Sequence, residues 1–331
     1  PYGPDEVWNH LPREVQQDIV EQLDIPGARR FIHGFRRTNI AVEVVEAAPS
    51  IRRDLVARVL SDAGRRPAIV YTPTRKEAEA LGAEINETFP AAAYHAGMTA
   101  DVRDRVQRAF QGDELEVIVA TIAFGMGIDK PDVRTVVHTG LPGTLEGYYQ
   151  EIGRAGRDGL QSRAVLLYSW ADRHTHQFFF DRDYPDPAVL QTLYAALGPE
   201  PLPAAELRSR TDLDSRVFTT ALEKLWIHRG AIVDPEENAS RGSPGWRQPY
   251  ENQRNHRQDQ LEKTMAFAGG RGCRMLDLVQ HFGDQHDSGS PCGSCDQCAP
   301  SDCVAVQFRE PNAAEEDALQ GRDVGKIATP T

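Results

Sequence analysis

The sequence lacks the long apolar runs and the leader pattern that mark membrane or secreted proteins. No stretch approaches the roughly 18 consecutive apolar residues of a membrane span, and the mean hydropathy is −0.50. The first residues, PYGPDEVWNH, show no basic segment followed by an apolar one. These absences favour a cytoplasmic protein without a membrane partner.

An overall positive charge is also missing. The chain carries 37 basic and 49 acidic residues, a formal net charge of −12. This balance excludes a protein that simply coats DNA but not a DNA enzyme with a local basic groove. Only five of the basic residues are lysines. The excess of arginine suits bidentate phosphate binding, although a GC-rich genome produces the same bias.

A length of 331 residues predicts two domains or three small ones.

Cysteine is rare, but the positions of the five cysteines are informative. Cys273, Cys292, Cys295 and Cys298 follow the spacing C-x18-C-x2-C-x2-C. Thiolates two residues apart can bind one metal ion from a tight turn, and a distant fourth completes a tetrahedron. The pattern predicts a structural zinc site, with an iron–sulfur cluster or unrelated buried cysteines as alternatives. Cys303 has no partner at metal-binding spacing and is predicted to be a free thiol.

Short apolar segments alternate with amphipathic ones through the first half of the chain. Strands are predicted at 39–45, 68–71, 91–94, 116–121, 133–138 and 163–168, and helices at 51–60, 74–86, 99–110 and 144–153. A capping box, Thr74 with Glu77, marks the start of the second helix. This alternation predicts an α/β domain with a parallel sheet over residues 30–182.

The following segments read differently. Helices are predicted at 187–197, 203–210 and 214–229, then a strand at 231–234 and a Gly/Pro/Ser-rich loop. This order is typical of a winged helix, so residues 187–250 are predicted to form a winged-helix-like domain, with Leu222, Leu225 and Trp226 in its core. A helix over 252–268 begins a helical zinc-binding subdomain at 251–303. The polar segment 304–331 is predicted to be a disordered tail.

The most distinctive segment is QEIGRAGRDG at residues 150–159. Arg154 and Arg157 lie three residues apart, so on a helix they share one face. Paired arginines of this kind can stabilise the charge of a transferring phosphoryl group. The alternative is a solvated helix end with salt bridges.

Further polar clusters follow predicted strands, among them YHAG at 94–97 and the segment VATIAFGMGIDKPDVR. In parallel α/β sheets, ligands gather at the carboxyl ends of strands. Together with YYQEIGRAGRDG, these segments resemble the RecQ-type DNA helicases of superfamily 2, specifically their second RecA-like motor domain. The resemblance covers about residues 12–182 and again about 252–300, where PCGSCDQC matches the family's four-cysteine zinc module.

The resemblance implies a RecA-like lobe and roles for individual residues. The best-known members of the family place their winged helix after the zinc module, so the winged-helix-like domain predicted at 187–250 departs from the family order. The resemblance assigns Gln150, Arg154 and Arg157 to the ATP cleft, with Arg157 as the arginine finger. Asp129 and Gly127 would bind the nucleotide, although Asp129 could be a turn residue. DNA contacts are expected from His95, Thr121, Arg75, Arg247 and Arg254. For His95 and Thr121 the alternatives are a satisfied loop histidine and a helix cap.

The resemblance also implies cofactors and partners. Zn²⁺ and ATP with Mg²⁺ are the expected cofactors, and the expected partners are single-stranded and duplex DNA, a first RecA-like lobe and a single-strand-binding protein at the nucleoid. Neither a GxxxxGK[ST] loop nor a DExH box is present. The chain is therefore expected to be the C-terminal portion of a 3′→5′ helicase, inactive alone, with residues 1–29 as a remnant or linker. Rival hypotheses are a non-catalytic DNA- or partner-binding remnant and a zinc-dependent transcription regulator.

Overall fold

The structure, a computed structural model, describes Gln22 and residues 34–125, 129–284 and 286–303. The predicted tail, Gly127 and, apart from Gln22, the remnant or linker predicted at 1–29 lie outside these residues. Contacts divide the chain into two units. The first holds the described residues up to Leu141, Tyr148–Ser169 and those from Gly270 onward. The second holds Pro142–Gly147 and Trp170–Gly269. The domain boundaries that the sequence predicts are not tested by this division and stay predictions.

The first unit is built on a six-stranded sheet in which every described pairing is parallel, in the order β1-β6-β5-β2-β4-β3. Its strands are β1 Ile40–Glu46, β2 Ala68–Tyr71, β3 Ala91–Tyr94, β4 Val117–Ala120, β5 Thr135–His138 and β6 Ser162–Tyr168. The strands β2, β4 and β5 are buried along their whole length, because helices cover a parallel sheet on both faces. The predicted α/β fold is confirmed.

Five helices connect these strands or follow the sheet in the chain. They are α1 Arg52–Leu60, α2 Arg75–Asn86, α3 Ala100–Gln111, α4 Leu145–Ile152 and, late in the chain, α10 Arg274–Phe282. The predicted cap is present, since Thr74 Oγ1 accepts the Glu77 N–H at 3.2 Å and donates to the Glu77 carboxylate at 3.1 Å. One core cluster joins Val59 and Leu81 to Val119 and Val165.

The second unit consists of α5 Trp170–Asp183, α6 Pro187–Ala196, α7 Ala204–Ser209, α8 Ser215–Ile227 and α9 Arg247–Gly269, with an antiparallel sheet of β7 Leu202–Pro203, β9 Asn238–Arg241 and β8 Ala231–Val233. Leu222 and Leu225 lie in its core, but Trp226 is 55% exposed. The core prediction was therefore wrong for Trp226, which borders an open groove at the edge of α8 instead of packing under it. In the part of the chain that the structure describes, no helix has both the length and the apolar character to span a bilayer.

Candidate arginine groove and metal centre

The QEIGRAGRDG segment forms the end of α4 and a loop at residues 153–160, here called the arginine loop. Gly156 and Gly159 have φ values of +57° and +82°, in the left-handed region that glycine adopts without strain. The Gly156 N–H donates to Val133 O at 2.9 Å, which ties the loop to the segment that precedes β5. Gln150 is exposed on the last turn of α4.

Arg154 is partly buried within the first unit. Its guanidinium lies against Gly125, where an added Cβ would approach Arg154 Nη2 at 2.9 Å. It also lies beside the Tyr71 hydroxyl, whose pKa is raised mainly by burial, and Arg154 opposes that rise. The Arg154 Nε atom is buried without a hydrogen-bond partner among the described residues. Arg154 therefore links the arginine loop to β2 and to the loop that follows β4.

Arg157 faces an open groove. Its Nη1 atom lies 3.0 Å from Asp129 Oδ1, and the two side chains are 37% and 83% exposed. The groove has a volume of about 600 Å³ and is lined by Arg37, Asn39, Asp129, Pro131, Gly156, Arg157 and Gly159. We call it the arginine groove.

The arginine groove lies at the opposite edge of the sheet from the one expected. Gly156 N–H and Asp158 N–H donate to Val133 O and Pro131 O, both before β5, and Ser162 N–H donates to Asn39 O, just before β1. The expectation that the clusters which follow strands lie at the carboxyl ends of those strands is therefore wrong for Asp129, and Arg157 lies at the same amino edge. The reason is that α4 carries the chain back along the sheet before Arg157, and that Asp129 comes before β5 in the chain.

Sequence reasoning missed two groups of residues in this region. Arg37 and Asn39 line the groove and hydrogen-bond the arginine loop. The sequence signal that could have identified Arg37 and Asn39 is their position immediately before a buried strand. Glu151, inside the motif itself, hydrogen-bonds the buried His138 at 2.6 Å. The His138 ring stacks on Tyr71 with a centroid distance of 5.0 Å, so this pair links α4 to the strands β5 and β2.

Three of the residues expected to contact DNA follow neighbouring strands at the carboxyl edge of the sheet. Arg75 is exposed, and an added Cβ on Gly97 would lie 3.0 Å from Arg75 Nη1 and 3.2 Å from His95 Nδ1. His95 is buried and its Nε2 lies 2.9 Å from a Glu79 carboxylate oxygen. The Thr121 N–H donates to Tyr94 O at 3.2 Å. The fold thus brings Arg75 and His95 together and ties the start of the loop at Thr121 to the end of β3.

The other two arginines expected to contact DNA belong to the second unit. Arg247 pairs with Glu251 at 2.8 Å, and Arg254 lies over the Phe180 ring at 5.0 Å from its centroid. A separate groove of about 500 Å³ on this unit has an apolar floor and three carboxylates: its lining includes Phe218, Leu222, Trp226, Val233, Glu223, Asp234 and Glu237. This acidic groove on α8 does not suit phosphate contacts.

The four cysteines predicted to bind metal converge. Their sulfur atoms all lie within 4.8 Å of one another. A zinc ion bound to four thiolates at about 2.3 Å has sulfur–sulfur separations of about 3.8 Å, so the cluster fits such an ion. The Cys292 N–H donates to Cys273 Sγ at 3.1 Å. Burial alone would raise the pKa of the Cys292 thiol, but hydrogen bonds from the Ser294 N–H and hydroxyl contribute to holding it at about 6.

The cysteine cluster is anchored to the sheet of the first unit. Arg274 forms a buried ion pair with Asp296, with Nη2 and Oδ2 2.9 Å apart. The Asp296 N–H in turn donates to Val42 O on β1 at 3.2 Å. Phe282 of α10 stacks on Phe35 with a centroid distance of 4.8 Å. The remaining cysteine, Cys303, is a buried free thiol outside the cluster, and burial raises its pKa to about 12.

Comparison with known families agrees with both features. Residues 52–159 match the family described as "Helicase conserved C-terminal domain", and residues 236–299 match "RecQ zinc-binding". The first match contains the arginine loop up to Gly159, and the second contains all four clustered cysteines. The sheet with its arginine loop is thus similar to the C-terminal domain of helicases, and the thiol cluster is similar to the RecQ zinc-binding module.

Individual relatives point to one group of helicases, the RecQ type. The ATP-dependent DNA helicase RecQ of Haemophilus influenzae is 34% identical over 86% of this chain and 35% of that protein. RecQ of Bacillus subtilis is 42% identical over 51% of this chain and 28% of that protein. The chain is thus similar to the C-terminal portion of RecQ-type superfamily 2 helicases, and Zn²⁺ is the cofactor that its four-cysteine module fits.

The coverage of these relatives is partial. The chain spans about a third of the length of the first curated relatives that it matches. Among solved structures, S. cerevisiae Dbp5 bound to RNA and ADP BeF3 is 20% identical, with a TM-score of 0.43 over 52% of this chain and 46% of that one. A similarity of this degree carries no functional weight.

Proposed function

We propose that this chain is the C-terminal motor half of an ATP-dependent DNA helicase that moves 3′→5′ and acts in DNA repair and recombination. The observation that carries the proposal is Arg157, a partly exposed guanidinium in an open groove, on a loop fixed to the sheet. The presence of Arg157 in a chain with a RecQ-type zinc module supports DNA as the substrate.

Arg157 would act as the arginine finger. Its guanidinium can stabilise charge that develops on the transferring γ-phosphoryl group. Asp129 pairs with Arg157 at 3.0 Å. Gln150 would orient phosphates, and Arg154, which reaches the carboxyl edge of the sheet, would position phosphates or couple the two lobes. Gly127 stays a prediction. ATP and Mg²⁺ would be presented by a first RecA-like lobe, so we propose that this chain alone does not hydrolyse ATP.

The carboxyl edge of the sheet would contact single-stranded DNA through Arg75, His95 and Thr121. Contacts to phosphates and base stacking would make binding tolerant of sequence. Arg247 and Arg254 are the candidates for duplex contacts, and a single-strand-binding protein is a candidate partner. Such an enzyme would work in the cytoplasm at the nucleoid.

Strand displacement by the full-length protein tests this function. We expect ATP-dependent unwinding of a duplex with a 3′ tail and none with a 5′ tail. Arg157→Ala should reduce DNA-stimulated ATP hydrolysis by about 10³-fold or more, whereas Arg58→Ala, at an exposed pair with Asp54, should leave it unchanged. Unwinding only from 5′ tails would overturn the polarity. A protein with both lobes that binds DNA without turnover would instead support the non-catalytic remnant.

A further inference from the structure

The segment before β1 holds the arginine loop through an unusual set of contacts. Arg37 Nη1 donates to Gly153 O at 3.1 Å, and Arg37 Nη2 donates to Ala155 O at 2.9 Å and to Gly156 O at 3.2 Å. One planar guanidinium thus contacts three carbonyls of the same loop. These carbonyls follow the last turn of α4, at the end of the helix where the macrodipole carries partial negative charge.

Asn39 completes the attachment. Its Nδ2 atom donates to Gly156 O at 2.7 Å and to Leu160 O at 3.0 Å, so it joins the middle of the loop to its end. Its backbone carbonyl accepts the Ser162 N–H at 2.9 Å, at the first residue of β6. Arg37 and Asn39 together bind the carbonyls of residues 153, 155, 156 and 160, on both sides of Arg157.

The Arg37 guanidinium is a half-buried cation that lies near a second cation, Arg157, and burying it there costs free energy. Arg37 is half-buried, and its described hydrogen bonds go to carbonyls and not to a carboxylate. Burial lowers the pKa of Arg37 and the nearby Arg157 guanidinium lowers it further. A loop needed only for folding could be held by neutral donors without burying one cation beside another. The arrangement suits a groove that receives an anion.

We propose that Arg37 and Asn39 are positioning residues, which fix the arginine loop so that Arg157 is presented in the arginine groove. They act through Arg157 and not by contact with the reacting phosphoryl group. This inference rests on the proposed function, because the orientation of Arg157 matters for catalysis only if Arg157 contacts a nucleotide.

Amide exchange on this chain provides the first test. Arg37→Gln and Asn39→Ala should accelerate exchange at residues 153–160 by about tenfold or more, because the carbonyls of the loop lose the side-chain donors that hold them in place. Arg36→Gln is the matched control: Arg36 precedes Arg37 but pairs with Asp287 at 2.5 Å, away from the loop. Exchange at 153–160 that is equal in the Arg37 and Arg36 variants would overturn the inference.

DNA-stimulated ATP hydrolysis by the full-length protein provides the second test. Arg37→Gln should lower kcat by about 10- to 100-fold with KM for ATP changed by less than about twofold, because only positioning is lost. Arg37→Lys should be intermediate, since an ammonium cannot form the guanidinium fork. In an Arg157→Ala background, Arg37→Gln should cause little further loss.

The outcomes separate the two ideas. Fully additive losses in the double variant, or an Arg37→Gln enzyme as active as the Arg36→Gln enzyme, would overturn the positioning role. Absence of turnover in the unmodified full-length protein would overturn the proposed function, and the amide-exchange comparison would still decide whether Arg37 and Asn39 hold the loop.

Discussion

Replacing Gly156 with alanine would put a methyl group where three other groups already lie. The added Cβ would be 2.5 Å from Asn39 Nδ2, 2.6 Å from Ser162 Oγ and 2.7 Å from Leu160 O. The two side chains can shift, but the carbonyl belongs to the backbone of the turn. The Gly156 φ of +57° adds a second penalty, because L-residues are disfavoured there.

The two effects give a magnitude. A left-handed backbone costs alanine about 1–2 kcal/mol, and overpacking of a tight site costs about 1–3 kcal/mol more. The expected loss of unfolding free energy for Gly156→Ala is therefore about 2–5 kcal/mol. Gly159→Ala is the matched control, since Gly159 has a φ of +82° but no atom within 4 Å of an added Cβ. Only the backbone cost of about 1–2 kcal/mol applies there.

Denaturant-dependent amide exchange in β5 and β6 measures the unfolding free energy of the first unit in both variants. It does not require the whole chain to unfold in a single transition. Any gain from a less flexible unfolded chain is the same for the two substitutions and cancels in the comparison. Equal losses for Gly156→Ala and Gly159→Ala would refute the steric argument, and a larger loss at Gly159 would refute the described packing of the loop.

Two further results are expected. Treatment with a chelator, or Cys295→Ser, should abolish Zn²⁺ binding by the four-cysteine cluster and increase amide exchange in α10, while Cys303→Ser should retain the metal. Elemental analysis measures the metal content and amide exchange measures the order of α10. Loss of zinc in Cys303→Ser would contradict the ligand set. The pKa of Asp234 lies below its ordinary value, first because of its hydrogen bond with the Asn238 side chain, so the stability it contributes is present above about pH 4 and lost as pH falls through the lower, folded-state pKa. An NMR titration of the Asp234 carboxyl should give a midpoint below the ordinary value, and a midpoint at or above it would disprove this account.

Local signals explain why much of the fold could be predicted from sequence. The strands at 68–71 and 91–94 were predicted at their observed limits, because short apolar runs between turns indicate buried parallel strands. The metal cluster was predictable because its spacing is itself a geometric constraint. Helix α10 was missed although Met275, Leu278 and Phe282 have helical spacing and are buried.

Other features depend on contacts that the sequence does not encode locally. Helix α5 was missed because it is not amphipathic in the usual sense: Trp170 and Phe178 on it are 65% and 64% exposed. Trp226 was assigned to the core from its spacing, yet a helical stripe does not reveal where the packed face ends. The roles of Arg37 and Asn39 arise from pairings over more than 110 residues.

The edge of the sheet on which each motif lies follows from simple lengths. Strand β5 has four residues and spans about 13 Å, and α4 has eight residues and rises about 12 Å, so α4 returns the chain to the edge at which β5 began. A motif that follows a strand and then a helix therefore lies opposite a motif that follows a strand directly. This separates Arg157 from His95 and Thr121. Arg154 spans the difference, because it leaves the arginine loop and reaches Gly125 and Tyr71 at the carboxyl edge.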